Sequence, residues 1–137
     1  MIKLSGKTLV FASHNPGKIA DLQAFFSPYN VDIRSALDFD IPDIKETGQT
    51  FEENALLKAQ AVCQITKQLT LADDSGLCID ALDRRPGVHT NRFAQMHGGI
   101  PDVFHYLETQ LEGKSKEAAF VCVLALVDPA GAVETYT

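Results

Sequence analysis

The sequence has no apolar segment long enough to cross a bilayer as a helix. Its longest unbroken apolar run is Ala118 to Val127, well short of the roughly 20 residues that a transmembrane helix requires. Near the N-terminus only Thr8 to Ala12 is apolar, which is too short for the apolar region of a signal peptide. These features argue against a membrane partner and against secretion, and we expect a cytoplasmic protein.

Cysteine is scarce and is not arranged for cross-linking or metal binding. The chain has three cysteines, Cys63, Cys78 and Cys122, which are far apart and lie in apolar sequence. Disulfide frameworks and zinc sites usually show paired or Cys-x-x-Cys spacing. The four histidines form no His-Glu-x-x-His pattern. We therefore expect buried, reduced thiols of a cytosolic protein and no transition-metal site.

Basic residues are outnumbered by acidic ones. The sequence has 12 Lys and Arg against 18 Asp and Glu, a formal net charge of −6. Non-specific binding to a nucleic-acid backbone relies on positive charge, so we expect no nucleic-acid partner. A small phosphorylated ligand stays compatible with this charge, because it needs only local positive charge.

The composition is that of one ordinary globular domain. The chain has 137 residues, of which 45% are hydrophobic and 22% charged, and this length suits one domain with its own core. The sequence contains no internal repeat, low-complexity tract or linker. We therefore expect a single domain over residues 1–137.

Apolar periodicity and turn residues predict strands that alternate with helices. The predicted strands are Thr8–Ala12, Val31–Ser35, Leu69–Ala72, Leu77–Leu82, Ala118–Val127 and Ala132–Tyr136. Helices are predicted after an Asn15 cap, after a capping box formed by Thr50 and Glu53, and near Pro101. Turns are predicted at 75–76 and 84–87, and a polar loop at 37–49.

The order of strands and helices indicates an α/β domain, and the last hairpin makes its sheet mixed. Ala118–Val127, apolar on both faces, is predicted to be a central strand.

The segment from Ser13 to Lys18, SHNPGK, connects the first predicted strand to the first helix. Such a helix start offers backbone amides and the positive end of the helix dipole to a phosphate. Lys18 opposes that dipole slightly, so its presence needs a reason. The spacing is not the GxxxxGK[ST] of a P-loop. On this segment alone, an ordinary turn with Asn15 as the cap and an exposed lysine is the better interpretation.

Two neighbouring aspartates, Asp73 and Asp74, follow the apolar run Leu69 to Ala72. Adjacent carboxylates repel, and burying one without a partner costs several kcal/mol. In an extended segment their side chains point to opposite sides. One can therefore face a ligand at the C-terminal end of the strand, while the other is held by loop amides or a basic partner. The alternative is an Asx turn that closes the strand.

The residues around the aspartates exclude several kinds of hydrolase. Asp74-Ser75-Gly76 matches the Asp-Ser-Gly of aspartic proteases, but those are β-rich and this chain has capped helices. Ser75 lacks the G-x-S-x-G elbow of a serine nucleophile, and a halo-acid-type phosphatase needs acids one residue apart. A hydrolase that uses a carboxylate and Mg²⁺ is left, because Mg²⁺ often takes only one or two protein carboxylates. Asp74 with Glu46 or Glu53 would suffice.

Three arginines, Arg84, Arg85 and Arg92, follow the aspartates along the chain. For Arg84 and Arg85 a solvated charged surface is the better interpretation. Arg92 could reach a phosphate, although spacing alone does not establish it.

Four stretches of the sequence, in this order, resemble the inosine triphosphatase family, also known as the dITP/XTP pyrophosphatases. They are LVFASHNPGK, ETGQTFEENALLKA, ADDSGLCIDAL and PGVHTNRFA. The match runs from the first strand to the last, and several motifs in register are far more specific than any one of them. The resemblance implies a long mixed β-sheet flanked by helices, with two lobes and a cleft between them that binds the base.

The resemblance also implies an activity and a set of site residues. Family members hydrolyse ITP, dITP and XTP to the monophosphate and pyrophosphate with Mg²⁺, usually as cytoplasmic homodimers, and so clear deaminated purines from the nucleotide pool. By this resemblance Asp74 is the general base and a metal ligand, and Glu46 is the candidate for the second metal ligand. The residues implied to bind substrate are Ser13, His14, Asn15, Pro16, Gly17, Lys18 and Ser75. The supporting residues are Asp73, Glu53, Asn54, Lys58 and Arg92.

The sequence departs from the family pattern in two places. Where the family often has two acids before Thr-Gly, this chain has Lys45-Glu46-Thr47-Gly48, so Glu46 must replace the lost ligand or the metal site is weaker. The family also continues through a Gly-Phe-Gly-Tyr-Asp-Pro block and a Ser-His-Arg block, and we expect this sequence to be C-terminally incomplete relative to it. The alternatives are a catalytically silent nucleotide-binding or dimerisation fragment and a pyrophosphatase of modified pyrimidine nucleotides.

Overall fold

The computed structural model describes residues 1–137, apart from the side chains of residues 100 and 101. The strands in this described chain are β1 Lys7–Phe11, β2 Val31–Ser35, β3 Leu69–Ile79, β4 Arg85–Pro86, β5 Ala118–Val127 and β6 Val133–Tyr136. Its α-helices are α1 Pro16–Phe26, α2 Phe51–Thr66, α3 Thr90–Met96 and α4 Ile100–Gln110. The described residues divide into two compact units, one of 1–73 with 123–137 and one of 74–122.

The strands form a mixed sheet, so the predicted α/β class is confirmed. The order is β2-β1-β3-β5-β6, and β4 pairs with β3. β1 runs parallel to both of its neighbours, with Val10 opposite Arg34 on one side and Thr70 on the other. β3 with β4, and β5 with β6, are antiparallel. The helix between β1 and β2 allows their parallel pairing, because parallel strands need a crossover connection.

The first unit is built around β1. Leu9 and Val10 are completely buried, as expected for a strand with parallel neighbours on both sides. The apolar cluster here consists of Leu9, Phe11, Ile19, Leu69, Leu71 and Leu126. Burying each of these large side chains contributes roughly 1.5–3 kcal/mol. Ile19 belongs to α1, so the same cluster fixes the helix that follows the 13–18 loop.

The second unit has a smaller core on α4. Val103, Leu107 and Leu111 recur at four-residue spacing, are buried, and pack with Ile79 of β3. This spacing places the three side chains on one helix face, and the predicted amphipathic helix near residue 101 is confirmed. In the part of the chain that the structure describes, no helix is both long and apolar enough to cross a bilayer.

Residues 69–79 form one strand, so the prediction of two short strands with a turn at Ser75 and Gly76 is wrong. The pairing of β3 with β1 ends at Leu71, but Cys78 and Ile79 pair with β4. β3 also lies next to β5 in the sheet, so tertiary pairing with its neighbours accounts for an extended chain through two residues that locally favour a turn. The two aspartates consequently lie in mid-strand, just beyond the end of β1, and do not form a turn that closes the strand.

Three other features differ from the sequence predictions. Helix α3 was not predicted, because Thr90–Met96 has too short an apolar pattern to stand out. β5 is exposed or half-buried over its first five residues and has central-strand burial only from Val123. Cys63 and Cys78 are buried as predicted, whereas Cys122, in the outer half of β5, is exposed. Apolar composition cannot reveal which half of a long strand its neighbours cover. Among the described residues, no disulfide joins the cysteines.

Candidate active site

The loop from residue 13 to residue 18 is ordered by its own side chains. Asn15 caps α1, and its Oδ1 accepts from the amides of Gly17 at 2.9 Å and Lys18 at 3.2 Å. Ser13 Oγ in turn accepts from the Asn15 amide at 3.1 Å. The predicted cap and the proline at the first helical position are confirmed. The Asn15 carboxamide therefore occupies two of the helix-start amides that the sequence predicts to be available to a phosphate.

Lys18 connects this loop to β3. Its Nζ lies 2.9 Å from Asp73 Oδ2, and the two side chains are 46% and 11% exposed. The prediction that a basic partner holds one of the aspartates is confirmed for Asp73. An ion pair between a nearly buried carboxylate and a half-exposed ammonium offsets the cost of burying the acid. It also places the Lys18 ammonium beyond the C-terminal end of β1.

Asp74, the next residue of β3, belongs to the second unit and is 6% exposed. Its Oδ1 accepts from the Ser75 amide at 3.1 Å, and Ser75 is half-buried. Successive side chains of a strand leave on opposite faces, so Asp74 is directed away from the face that Asp73 occupies. The two acids therefore have different surroundings, as is needed if they have different roles.

Glu46 is paired with Lys58 of α2. The Glu46 Oε1 to Lys58 Nζ distance is 3.1 Å, and the lysine side chain is only 15% exposed. Lys45, which stands where the family often has an acid, is exposed. The carboxylate expected to bind a metal thus lies beside a largely buried cation from the following helix.

The turn before α2 is held by the first residues of the helix. Asn54 is 1% exposed, and its Oδ1 accepts from the Gly48 amide at 2.7 Å. Thr50 Oγ1 accepts from the Glu53 amide at 3.1 Å, so the Thr50 half of the predicted capping box is confirmed. The Glu53 carboxylate instead accepts from the Gln49 amide at 2.7 Å. Gly48 is required here because a Cβ would lie 2.6 Å from Asn54 Oδ1.

His14 links the 13–18 loop to the polar loop before α2. Its Nε2 lies 2.5 Å from the carbonyl oxygen of Ile41, and its Nδ1 lies 3.0 Å from Asp43 Oδ1. Sequence reasoning did not single out Asp43. An exposed acid beside a proline in an aperiodic loop carries no signal of its partner, so only the path of the loop reveals the contact.

The arginines after β3 lie on the surface of the second unit. Arg84 NH1 donates to Asp80 at 2.8 Å, and Arg85 Nε donates to the Leu82 carbonyl at 3.0 Å. Arg84 and Arg85 are exposed, which confirms their interpretation as charged surface. Arg92 is exposed on α3. Its role towards a phosphate stays a prediction.

No group of three or more His, Cys, Asp or Glu side chains that could hold a metal ion occurs within the described residues. This does not conflict with a magnesium site, because Mg²⁺ commonly uses one or two carboxylates and fills its other positions with phosphate oxygens and water. The metal roles of Asp74 and Glu46 therefore stay predictions.

The fold and these motifs agree with a known family. Residues 9–137 match the Ham1 family, and the chain belongs to it. It is 40% identical to a dITP/XTP pyrophosphatase of Mesorhizobium japonicum over 145 residues, which cover 99% of this chain and 66% of that protein. It is 44% identical to a dITP/XTP pyrophosphatase of Exiguobacterium sp., with coverage of 94% and 66%.

Solved structures give the same result. A HAM1 protein from Coxiella burnetii superimposes with a TM-score of 0.82 at 35% identity, covering 94% of this chain and 69% of that one. The chain spans 66% of the length of the two pyrophosphatases, just under two thirds. The family is therefore shown, and the activity of the longer relatives comes to this chain as a proposal.

Proposed function

We propose that the chain hydrolyses the triphosphates of deaminated purines, ITP, dITP and XTP, to the monophosphate and pyrophosphate. The observation that carries the proposal is the pair of buried aspartates in β3, of which one is neutralised by Lys18 from the loop after β1. This arrangement sits within a chain about 40% identical to proteins named dITP/XTP pyrophosphatase. A fold alone would not support an activity.

The triphosphate binds at the 13–18 loop in this proposal. Lys18, although paired with Asp73, presents an ammonium group at the start of α1, where the positive end of the helix dipole also lies. Lys58 supplies a second ammonium, which is nearly buried beside Glu46. A net charge of −6 for the whole chain does not oppose such binding, because a small anion responds mainly to charges within about 10 Å.

Asp74 acts as the general base. A water oxygen attacks the α-phosphorus, the Asp74 carboxylate accepts the proton of that water, and the bond to the bridging oxygen of the β-phosphate breaks as pyrophosphate leaves. A buried carboxylate suits this task, because a low-dielectric setting strengthens its interaction with the proton that it removes. Asp73 does not share the task, because its charge is engaged by Lys18.

Magnesium is the proposed cofactor, with Asp74 and Glu46 as its proposed ligands. Asp74 and Glu46 present carboxylate oxygens, the ligands that this hard cation prefers. Glu46, which is paired with Lys58, would hold the ion beside that ammonium. When bound, Mg²⁺ supplies charge neutralisation at the phosphate oxygens.

The proposed setting is the cytoplasm, and the proposed assembly is a homodimer. The buried thiols of Cys63 and Cys78 support a reducing compartment. The homodimer rests on the resemblance to the family alone.

The test is pyrophosphate release by the chain from ITP, dITP and XTP with Mg²⁺ present, with GTP and ATP as the comparison. The proposal expects equal amounts of monophosphate and pyrophosphate from the deaminated purines. Orthophosphate release would indicate a different bond cleavage. Mg²⁺-dependent ITP binding without turnover would establish the catalytically silent alternative, and either result would overturn the proposal.

A further inference from the structure

Both ring nitrogens of His14 are engaged by groups that can only accept hydrogen bonds. Nε2 donates to the Ile41 carbonyl at 2.5 Å, and Nδ1 lies 3.0 Å from the Asp43 carboxylate. An imidazole has no other polar atom. His14 therefore has no ring donor left for a phosphate in this arrangement, although it lies in the loop that is expected to hold one.

The two residues that His14 contacts, Ile41 and Asp43, differ in how firmly the fold holds them. The Ile41 side chain is buried, and its amide donates to the Ala36 carbonyl at 3.2 Å. Asp43, by contrast, has a side chain that is 93% exposed. An exposed loop residue is ordinarily mobile. His14 thus contacts both the anchored residue and the exposed one, and so connects the 13–18 loop to residues 41–43.

We propose that His14 is a positioning residue that holds the phosphate-binding loop and residues 41–46 in one fixed arrangement. It acts through the two loops and does not touch the triphosphate. The proposal rests on the proposed function, since it concerns the site of the same reaction. Its effect is on affinity, because a ligand that needs both loops ordered binds more weakly when they are ordered only part of the time.

The experiment compares two variants of His14 with Asp43→Ala. His14→Phe keeps a ring of similar size and removes both nitrogens, and His14→Gln keeps one amide donor within reach of an acceptor. Asp43→Ala removes one of the two contacts. His105→Ala is the matched control, because His105 is exposed on α4. Thermal unfolding of each variant establishes that it is folded.

The first readout is amide hydrogen exchange over residues 40–47, and the second is binding of inorganic tripolyphosphate together with KM and kcat for ITP. We expect His14→Phe to speed exchange and to raise KM about tenfold, as the loss of the Ile41 hydrogen bond and the Asp43 contact implies. We expect kcat to change less than about threefold, since an interaction made equally before and during the reaction affects binding. Gln should restore part of the affinity, and Asp43→Ala should add little in the His14→Phe background.

Unchanged exchange and unchanged tripolyphosphate affinity in His14→Phe would overturn the proposal. A fall in kcat at constant KM would also overturn it, because His14 would then act on the reacting atoms. If wild type neither binds tripolyphosphate nor turns over ITP, the proposed function fails. Hydrogen exchange still decides in that case whether His14 holds residues 40–47.

Discussion

Lys18 of α1 and Asp73 of β3 form an ion pair with a distance of 2.9 Å between Nζ and Oδ2. The pair explains how one of two adjacent buried carboxylates is tolerated. It also ties the start of the helix to the strand at the point where β1 has ended. Because a charged partner meets Asp73, the cost of burying its carboxylate is offset within the fold.

Replacing Asp73 by Asn should lower stability more than replacing Asp32, the acid of an exposed pair with Arg34. We expect Asp73→Asn to reduce the free energy of unfolding by about 1–2 kcal/mol, because it removes a charge-assisted hydrogen bond to a nearly buried group. Asp32 and Arg34 are each about half exposed, so Asp32→Asn should cost less than about 0.5 kcal/mol. Urea unfolding at pH 7 measures both. Equal losses would mean that the Lys18 pair contributes no more than a surface pair.

Gly48→Ala should destabilise the turn before α2. The new Cβ would lie 2.6 Å from Asn54 Oδ1 and 2.7 Å from Glu53 Cβ, so the helix start must shift, at about 1–3 kcal/mol. Gly17→Ala is the control, because its Cβ would meet only the exposed Asn15 side chain at 3.3 Å. Thermal unfolding compares the two. A Gly48→Ala midpoint no lower than that of Gly17→Ala would show that this turn adapts at little cost.

Capping residues and apolar patterns predicted the helices and strands whose bounds depend on neighbouring residues in the sequence. Asn15 and Pro16 set the start of α1, and the bounds of β2 and β5 follow from their apolar patterns. The prediction divides β3 in two because Ser75 and Gly76 favour turns, whereas its pairing with neighbouring strands, β5 and β4 among them, is a tertiary effect. Residue pattern contains no information on those partners.

In the candidate site, too, some contacts could be predicted from the sequence and others could not. A basic partner for one aspartate could be predicted, because a buried acid requires one. The Glu46–Lys58 and His14–Asp43 contacts could not, since they depend on the course of residues 37–49. That loop has no apolar period from which a course could be inferred.

The charge at residues 45 and 46 should set the Mg²⁺ requirement. We expect Glu46→Gln to raise the Mg²⁺ concentration for half-maximal activity, because it removes a ligand. Lys45→Glu should lower that concentration, because it replaces a cation near the dication by an anion. Lys114→Glu, at another exposed lysine, controls for overall charge. A Mg²⁺ titration of ITP turnover measures all three. No shift in either site variant would place the second ligand elsewhere, with Glu53 the next candidate.

Glu134 of β6 should contribute stability that depends on pH. The Tyr136 hydroxyl and the Ile2 amide, which donate to its two oxygens, hold the pKa of the Glu134 carboxyl below its usual value. A depressed pKa stabilises the fold above the unfolded pKa, about 4.3, and this contribution is lost as the pH falls through the folded pKa. Wild type should therefore exceed Glu134→Gln in stability at pH 7, and the difference should shrink below about pH 4.3.

Urea unfolding from pH 3 to pH 7 provides that comparison, with Glu112→Gln at an exposed site as the control. A wild-type advantage over Glu134→Gln that stayed constant over this range would mean that the ionised carboxylate is not what stabilises the fold.

The most direct test of the account is the rate at which Asp74→Asn releases pyrophosphate from ITP. The substitution keeps the volume of the side chain and removes the base, so we expect kcat to fall by roughly 10²–10⁴-fold. Tripolyphosphate affinity should stay within a few fold, because Lys18 and Lys58 are unchanged. Asp73→Asn, measured alongside, should reduce kcat less than Asp74→Asn does and should instead lower thermal stability. Pyrophosphate release by Asp74→Asn at near the wild-type rate would contradict the assignment of Asp74 as the base.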